Sequence, residues 1–421
     1  MRVIGIVGGL LSVALLGCGL FYWLRDEPQS AEVGQWLAQA QLRPGSSAAY
    51  LFLAGLDAPL RHSPAALGQA RLHEYQQWQA RHGFAEPGFT PAPQTRLPLP
   101  AGKDFCPVEK QACFAGLLER QEQLPALVAE HGALLNRYRY LLTLGDFRTL
   151  QAPSAAEPVL PLTYLVRGQQ LLSLRALSLA LSGDGATAQA LLLEDHAGVR
   201  RYLAQADQLV LKMVLTSMLN RNLEWLARLQ RMGLTPHAAP LAPLTVAERT
   251  LRPALQREFL GTATLLAELR EDDIPGLLEE ASMFFEYKPQ MTINASLIQY
   301  QQTSNLSETT PVIFQQLVSS NPEISIPHTG LRNRVGNILL SIANPDFVAY
   351  VGRLMDIDSK IRLVSLSAHP QPGAQLLAQV AGLPEAVSPY LETQRPFLDK
   401  QGRLCFDGPL PARESGRCVP L

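Results

Sequence analysis

The chain has 421 residues, a formal net charge of −1 at pH 7 and an isoelectric point near 6.7. Basic residues are not in excess over acidic ones, so the composition does not indicate binding to nucleic acid or to an anionic membrane surface. We therefore predict no nucleic-acid partner. Hydrophobic residues make up 47% of the chain and charged residues 17%, which excludes a largely disordered chain and supplies a core.

An uncharged apolar segment opens the chain. Val3–Leu24 contains 22 residues, and a helix of that length spans about 33 Å, enough for a hydrocarbon core of about 30 Å. Phe21, Tyr22 and Trp23 lie at its end, where aromatic rings settle at the membrane interface. We therefore predict that residues 1–30 form a signal-anchor transmembrane helix with its flank.

The residues that flank this segment predict its orientation. Arg2 precedes it, whereas one basic and two acidic residues follow it. The positive-inside rule then places the N-terminus in the cytoplasm and the bulk of the chain in the periplasm, next to the inner membrane. The alternative is a lipoprotein anchored at Cys18, because Leu15–Cys18 has the form of a lipobox. The apolar residues Gly19–Leu24 stand where a lipoprotein usually has a polar tether.

Four cysteines remain beyond Cys18. An even number of cysteines in an exported chain indicates disulfides, and the local pairs Cys106–Cys113 and Cys405–Cys418 are the predicted ones. Four cysteines allow three connectivities, and free thiols or a zinc site are the alternatives. A zinc site is disfavoured because the spacings are C-x6-C and C-x12-C and no histidine lies within either segment.

Residues 31–270 are predicted to form a helical domain. Its helices follow from apolar residues at helical spacing and from capping signals such as the Thr245–Glu248 capping box. Gln151–Pro161 is a proline-bearing break, and Pro253 is expected to kink the last helix. The predicted helices are Glu32–Gln41, Ser46–Leu56, Pro64–His82, Gln111–Leu144, Thr163–Leu181, Ala186–Gln205, Asp207–Met232 and a helix from Thr245 to Leu269.

Residues 271–421 are predicted to form a second helical section, since the composition changes near Glu271. Thr310-Pro311 and Asn344-Pro345 resemble helix starts. The alternating stretch Arg395–Phe406 predicts a small β-hairpin, closed by a disulfide. The predicted fold class is mainly α, a multi-helix bundle or irregular helical array with a small C-terminal β-hairpin and one N-terminal transmembrane helix.

Common catalytic signatures are missing from the sequence. It contains no G-x-S-x-G, S-x-x-K, H-E-x-x-H, Walker or C-x-x-C motif, and therefore predicts no catalytic, cofactor-binding or metal residue. Acidic groups at Glu271–Asp273 and Glu279–Glu280 offer acid and base for glycan cleavage, although a solvated, acid-rich helix start is the favoured explanation. Asp195 and His196 are sequence neighbours, which do not face one another on a helix.

Several stretches resemble a group of uncharacterised, single-pass, mostly helical envelope proteins of Gram-negative bacteria. The resemblance implies an envelope location and a helical fold, and it carries over no activity and no functional residue. The resembling stretches are Leu244–Leu255, Val335-Gly336-Asn337, Ala343-Asn344-Pro345, Asp356-Ile357-Asp358 with Arg362-Leu363, Ser388-Pro389-Tyr390 and Arg395-Pro396-Phe397.

Three functions remain open from the sequence. The first is a membrane-anchored binding or scaffold module that engages another envelope protein through grooves between helices. The second is an envelope hydrolase for cell-wall or lipid substrates. The third is a small-molecule or lipid-binding protein. The sequence leans away from an enzyme without deciding the question, and the identity of the envelope partner stays open.

Overall fold

A computed structural model describes most of the chain. The described residues are 2–40, 45–82, 88–91, 95–154, 157–237, 239–269, 286–320, 329–342, 346–369, 371, 373–411 and 416–421, with side chains from residue 13 onward. They are mainly helical with a small antiparallel sheet near the C-terminus, which confirms the predicted fold class at this level. The domain boundary at Glu271 and the acidic groups at Glu271–Asp273 and Glu279–Glu280 lie outside the described residues.

The first helix, α1, covers Arg2–Leu24. The predicted spanning segment, Val3–Leu24, therefore coincides with a helix, although the side chains of residues 3–12 lie outside the description. Among the described residues, no helix is both long enough and apolar enough to cross a membrane. The membrane anchor therefore stays a prediction.

The rest of the body consists mainly of helices, many of them joined by short connections. Those up to residue 268 are α2 Ala31–Ala40, α3 Ala48–Ala54, α4 Pro64–His82, α5 Gln111–Glu119, α6 Leu124–Glu130, α7 Gly132–Thr143, α8 Leu162–Leu181, α9 Gly185–Gln205, α10 Leu209–Arg231, α11 Val246–Arg249 and α12 Arg252–Glu268. Those that follow are α13 Pro289–Ser307, α14 Pro311–Ser319, α15 Arg334–Ile342, α16 Phe347–Ser367 and α17 Gly373–Val380.

Two predicted helices are interrupted, and a proline lies at one break in each. The predicted helix Gln111–Leu144 is three helices. Pro125 stands in the first turn of α6 and lacks an amide proton to continue α5, which explains the first break. The second break lies at His131, between α6 and α7. The helix predicted from Thr245 is likewise divided. Its capping box is present, but it ends at Arg249, and Pro253 stands at the start of α12.

A continuous core links the two predicted sections. Helices α8, α9 and α10 pack side by side, α10 packs on α16, and α12 packs on α13. The buried apolar side chains form one cluster that extends along the chain from Val33 to Val419. Residues on both sides of the predicted boundary therefore share a core.

The connection between α3 and α4 depends on two glycines. A Cβ atom at Gly68 would lie 1.9 Å from the carbonyl oxygen of Leu51, and one at Gly55 would lie 2.0 Å from the carbonyl oxygen of Pro64. These distances leave no room for any side chain, so the close crossing of α3 and α4 requires glycine at both positions.

The C-terminal sheet has three strands. β1 Phe397–Leu398 pairs with β2 Leu404–Cys405, as predicted for the hairpin, and β2 also pairs with β3 Cys418–Val419. The third strand was not predicted, because only two residues of it join the ladder and they follow a long connection. Cys405 and Cys418 are direct partners in the β2–β3 register, so their disulfide holds this third strand in place.

Candidate functional site

A groove lies between the segment formed by residues 153–154 and 157–162, the start of α10, and α12. We call this segment the strap and the cavity beside it the apolar groove. Its volume is about 360 Å³, and its wall is mainly apolar. The lining residues outside the strap are Gln208, Val210, Arg257, Glu258, Gly261, Thr262 and Leu265.

Aliphatic side chains form the rim of the apolar groove. Val159 of the strap is 84% exposed, Val210 of α10 is 61% exposed and Leu265 of α12 is 45% exposed. The three residues come from distant parts of the chain and line one cavity. A cluster of exposed aliphatic side chains around a cavity is typical of a surface that a ligand or partner covers.

One carboxylate fixes the strap to the body. The Oε1 atom of Glu157 accepts hydrogen bonds from Gln151 Nε2 at 2.8 Å and from Gln208 Nε2 at 2.6 Å. It also lies 2.7 Å from Nη2 of Arg257, in α12. Glu157 thereby joins the strap to the residue before α10 and to α12, so the groove has a preformed wall.

A second carboxylate is available inside the groove. The carboxylate of Glu258 accepts a hydrogen bond from the backbone N–H of Leu209, and its side chain remains accessible to solvent. The surrounding helices remove part of its hydration and raise its pKa, and the charge of Glu157 acts in the same direction. Glu258 therefore offers an acceptor to a donor that enters the groove.

A more polar cavity lies on the other side of the strap. We call it the polar cavity; its volume is about 520 Å³, and it shares Pro158–Leu160 and Leu162 with the apolar groove. Asp57 is 1% exposed there and accepts hydrogen bonds from Arg71 Nη1 at 2.5 Å and from Arg71 Nη2 at 3.1 Å. Arg96, which is exposed, lies 3.3 Å from the same carboxylate.

Two tyrosines fix the neighbourhood of the strap. The hydroxyl of Tyr75 in α4 lies 2.6 Å from Ser154 Oγ. The hydroxyl of Tyr164 in α8 donates to the carbonyl oxygen of Leu97 at 2.7 Å. The strap therefore separates two cavities whose walls are held by side-chain hydrogen bonds.

The Asp195–His196 pair lies in the core, away from both cavities. Both residues are buried, and the Asp195 carboxylate accepts hydrogen bonds from Tyr138, Gln169 and Asn222. Burial raises the pKa of Asp195 to about 6 and lowers the pKa of His196 to about 4. The arrangement links α7, α8, α9 and α10, which is a structural role.

Both predicted disulfides are present. Cys106 bonds to Cys113 and Cys405 bonds to Cys418. Asp399 lies close to Cys405 and Cys418 with the spacing of a metal site, but sulfur atoms in a disulfide are not thiolate ligands. In the described part of the chain, the disulfide interpretation therefore replaces the zinc alternative. Cys18 is exposed and unpaired.

No protein-family model, curated protein or solved structure matches this chain. The resemblance to single-pass envelope proteins therefore stays a prediction. The function has to be inferred from the groove, its rim and its charges.

Sequence reasoning missed the groove. The sequence predicts a proline-bearing break at Gln151–Pro161, and most of the described residues of the strap belong to it. The available signal was Val159-Leu160 between Pro158 and Pro161, two large aliphatic residues in a segment with no helical or strand periodicity. Only the tertiary structure shows that Leu160 is buried while Val159 points outward.

Proposed function

We propose that this protein is a binding module for an apolar segment of another cell-envelope protein, held at the inner membrane by Val3–Leu24. The observation that supports this proposal most directly is the apolar groove with its exposed rim of Val159, Val210 and Leu265. Full burial of one aliphatic side chain of this size contributes about 1.5–3 kcal/mol. Covering all three supplies a substantial driving force for association.

The charges of the groove define the ligand further. The apolar groove contains Glu157, Glu258 and Arg257, so its lining carries one net negative charge when both carboxyl groups are ionised. Arg257 is already paired with Glu157, which leaves the Glu258 carboxylate to meet the ligand. We therefore expect an apolar peptide segment with a basic side chain or a free backbone N–H placed opposite Glu258.

Two observations support a location outside the cytoplasm. The uncharged segment Val3–Leu24 has the length of a spanning helix, and two disulfides close within the body, which is typical of an oxidising compartment. A tether of this kind raises the effective concentration of the module near other membrane proteins.

The double substitution Val159→Asp with Val210→Asp is expected to abolish binding to the partner. Two new carboxylates would lose their hydration on docking, so the affinity should fall by at least about 100-fold. Both side chains are largely exposed, and the fold should therefore be unaffected. The measurement is a titration of the full-length protein in detergent with the partner that crosslinking identifies.

Leu60→Asp is the matched control, because Leu60 is 68% exposed and does not line either cavity on the two sides of the strap. It is expected to bind as the unsubstituted protein does. Equal affinities for the double variant and the control would contradict the proposed site.

An envelope hydrolase is the second candidate, because Glu157 and Glu258 line one cavity and differ in environment, as the acid and base of a hydrolase do. Against it, the Oε1 atom of Glu157 already accepts from two glutamines and faces Arg257. Cleavage of peptidoglycan or esters by the purified protein, lost in Glu258→Gln, would favour this candidate. The lipid-binding hypothesis calls for a wholly apolar cavity, whereas the cavities on both sides of the strap contain charged residues.

A further inference from the structure

A second exposed apolar surface follows α15 and the turn before it. Leu331 is 83% exposed, Ile338 is 49% exposed and Ile342 is 74% exposed. Ile338 and Ile342 are one helical turn apart, and Arg334 lies one turn before Ile338 on the same side. We call these four residues the interfacial face.

The interfacial face lies beside the end of α1. Arg332, the residue after Leu331, donates from Nη1 to the carbonyl oxygen of Tyr22 at 3.1 Å and from Nη2 to that of Arg25 at 3.0 Å. Its guanidinium group also stacks over the Tyr22 ring, 4.3 Å from the centroid. Leu331 is thereby held at the level of the last turn of α1.

The connection between α1 and the body is rigid. The carboxylate of Asp26 accepts hydrogen bonds from the backbone N–H groups of Gln290 at 2.8 Å and Met291 at 3.1 Å. These are free donors of the first turn of α13, so the carboxylate caps that helix. Four residues later, the backbone N–H of Ser30 donates to Asn294 Oδ1 at 3.2 Å.

The inner side of α15 is packed against the body. Val335 and Leu340 are buried, and a Cβ atom at Gly336 would lie 2.2 Å from Thr292 Oγ1 of α13. Asn333, just before α15, accepts from the backbone N–H of Lys288 at 2.9 Å. The contacts on this side leave the opposite side of α15 directed outward.

We propose that the interfacial face inserts into the lipid headgroup region of the membrane that α1 enters. This inference rests on the membrane anchor of the proposed function. Amphipathic helices at an interface bury their apolar residues about 5–10 Å into the boundary between headgroups and acyl chains. Phe21, Tyr22 and Trp23 mark the same level on α1. The side chain of Arg334 is 67% exposed and lies 3.8 Å from Glu286 Oε1, so its outward side can also meet lipid phosphates.

The contacts of Arg332 with the end of α1 fix where the membrane surface lies relative to the interfacial face. Because Arg332 joins Leu331 to Tyr22 and Arg25, the membrane surface that meets the end of α1 also meets the start of the interfacial face. The body then touches the membrane at two points and cannot swing freely about α1. The apolar groove is consequently presented at one orientation to neighbouring membrane proteins.

Depth-dependent quenching tests this inference in the full-length protein, reconstituted in vesicles of phosphatidylethanolamine and phosphatidylglycerol. Cys18→Ala removes the unpaired thiol, and the four disulfide cysteines do not react with a thiol-specific fluorophore. Single cysteines for labelling are then introduced as Ile342→Cys, Val13→Cys and Ser182→Cys. Val13 reports on α1, and Ser182 is an exposed position on the turn between α8 and α9.

Lipids carrying a bromine or nitroxide quencher should quench the Ile342→Cys label several-fold more strongly than the Ser182→Cys label. Equal quenching at these two positions, with strong quenching at Val13→Cys, would overturn the interfacial face and leave the anchor intact. Weak quenching at Val13→Cys as well would overturn the membrane anchor, and this inference with it.

Discussion

Asp195→Ala is expected to lower the free energy of unfolding by about 3–5 kcal/mol, because it removes an acceptor that three buried side-chain donors share. The Asp195 carboxylate accepts from Tyr138, from Gln169 Nε2 at 2.9 Å and from Asn222 Nδ2 at 2.8 Å. Its side chain is fully buried between the helices that form the centre of the body. Asp195→Asn retains an acceptor oxygen and should therefore lower the free energy of unfolding by less than Asp195→Ala does.

The pH dependence of stability gives this prediction a second readout. Burial raises the pKa of Asp195 from 3.8 to about 6, so its contribution is fully present below pH 3.8 and is lost as the pH rises through 6. Burial lowers the pKa of His196 from 6.5 to about 4. Its contribution is present above pH 6.5 and is lost as the pH falls through 4.

The two neighbours therefore act in opposite directions in the same pH window. In the unsubstituted protein their slopes partly cancel. Asp195→Asn removes the contribution of Asp195. As the pH falls from about 6.5 to about 4, the stability of this variant should therefore fall more steeply than that of the unsubstituted protein. The stability of His196→Gln should instead rise as the pH falls through the same window. Denaturant unfolding at both ends of the window measures the slopes, and parallel slopes in all three proteins would contradict the assignment.

Glu224→Gln is the second substitution with a large expected effect. Glu224 in α10 lies 2.9 Å from Lys360 Nζ in α16 and accepts from Arg228 Nε at 3.1 Å. All three side chains are buried. Removal of the shared anion takes a buried ion-pair partner from both Lys360 and Arg228, which should cost about 3–5 kcal/mol.

Lys360→Met is the matched comparison. It removes one cation, replaces the stem with an apolar side chain of similar length, and leaves Glu224 paired with Arg228. The loss should therefore be smaller than for Glu224→Gln, and the double variant should show non-additive losses, since the two residues share one interaction. Additive effects within about 0.5 kcal/mol would show that this ion pair does not couple α10 to α16.

Local signals allowed much of the fold to be predicted. α4 covers the predicted Pro64–His82. α16 begins shortly after the predicted start Asn344-Pro345, which lies outside the described residues, and has Asp346 as its N-cap. Both disulfides were predicted because each pair is short-range in sequence. Such features depend on spacing, caps and proline, which are encoded within about 20 residues.

The candidate site could not be predicted in the same way. The Glu157 carboxylate contacts both Gln208 and Arg257. About 50 residues separate Glu157 from Gln208, and about 50 separate Gln208 from Arg257. The Glu224–Lys360 pair spans still more of the chain. Pairings of this kind leave no periodic pattern in a single sequence, because any glutamate has many possible cationic partners. The third strand was missed for the related reason that its two residues become a strand only by pairing with β2.

Photocrosslinking from Val159 in native membranes tests the central claim most directly. A photoreactive amino acid at Val159, with the same group at Leu60 as the control, should give an adduct only at Val159. Mass spectrometry should place the link within one apolar segment of a single envelope protein, with a basic residue nearby. Equal labelling of many proteins from both positions, or no adduct from Val159 in membranes that contain the full-length chain, would contradict a binding groove.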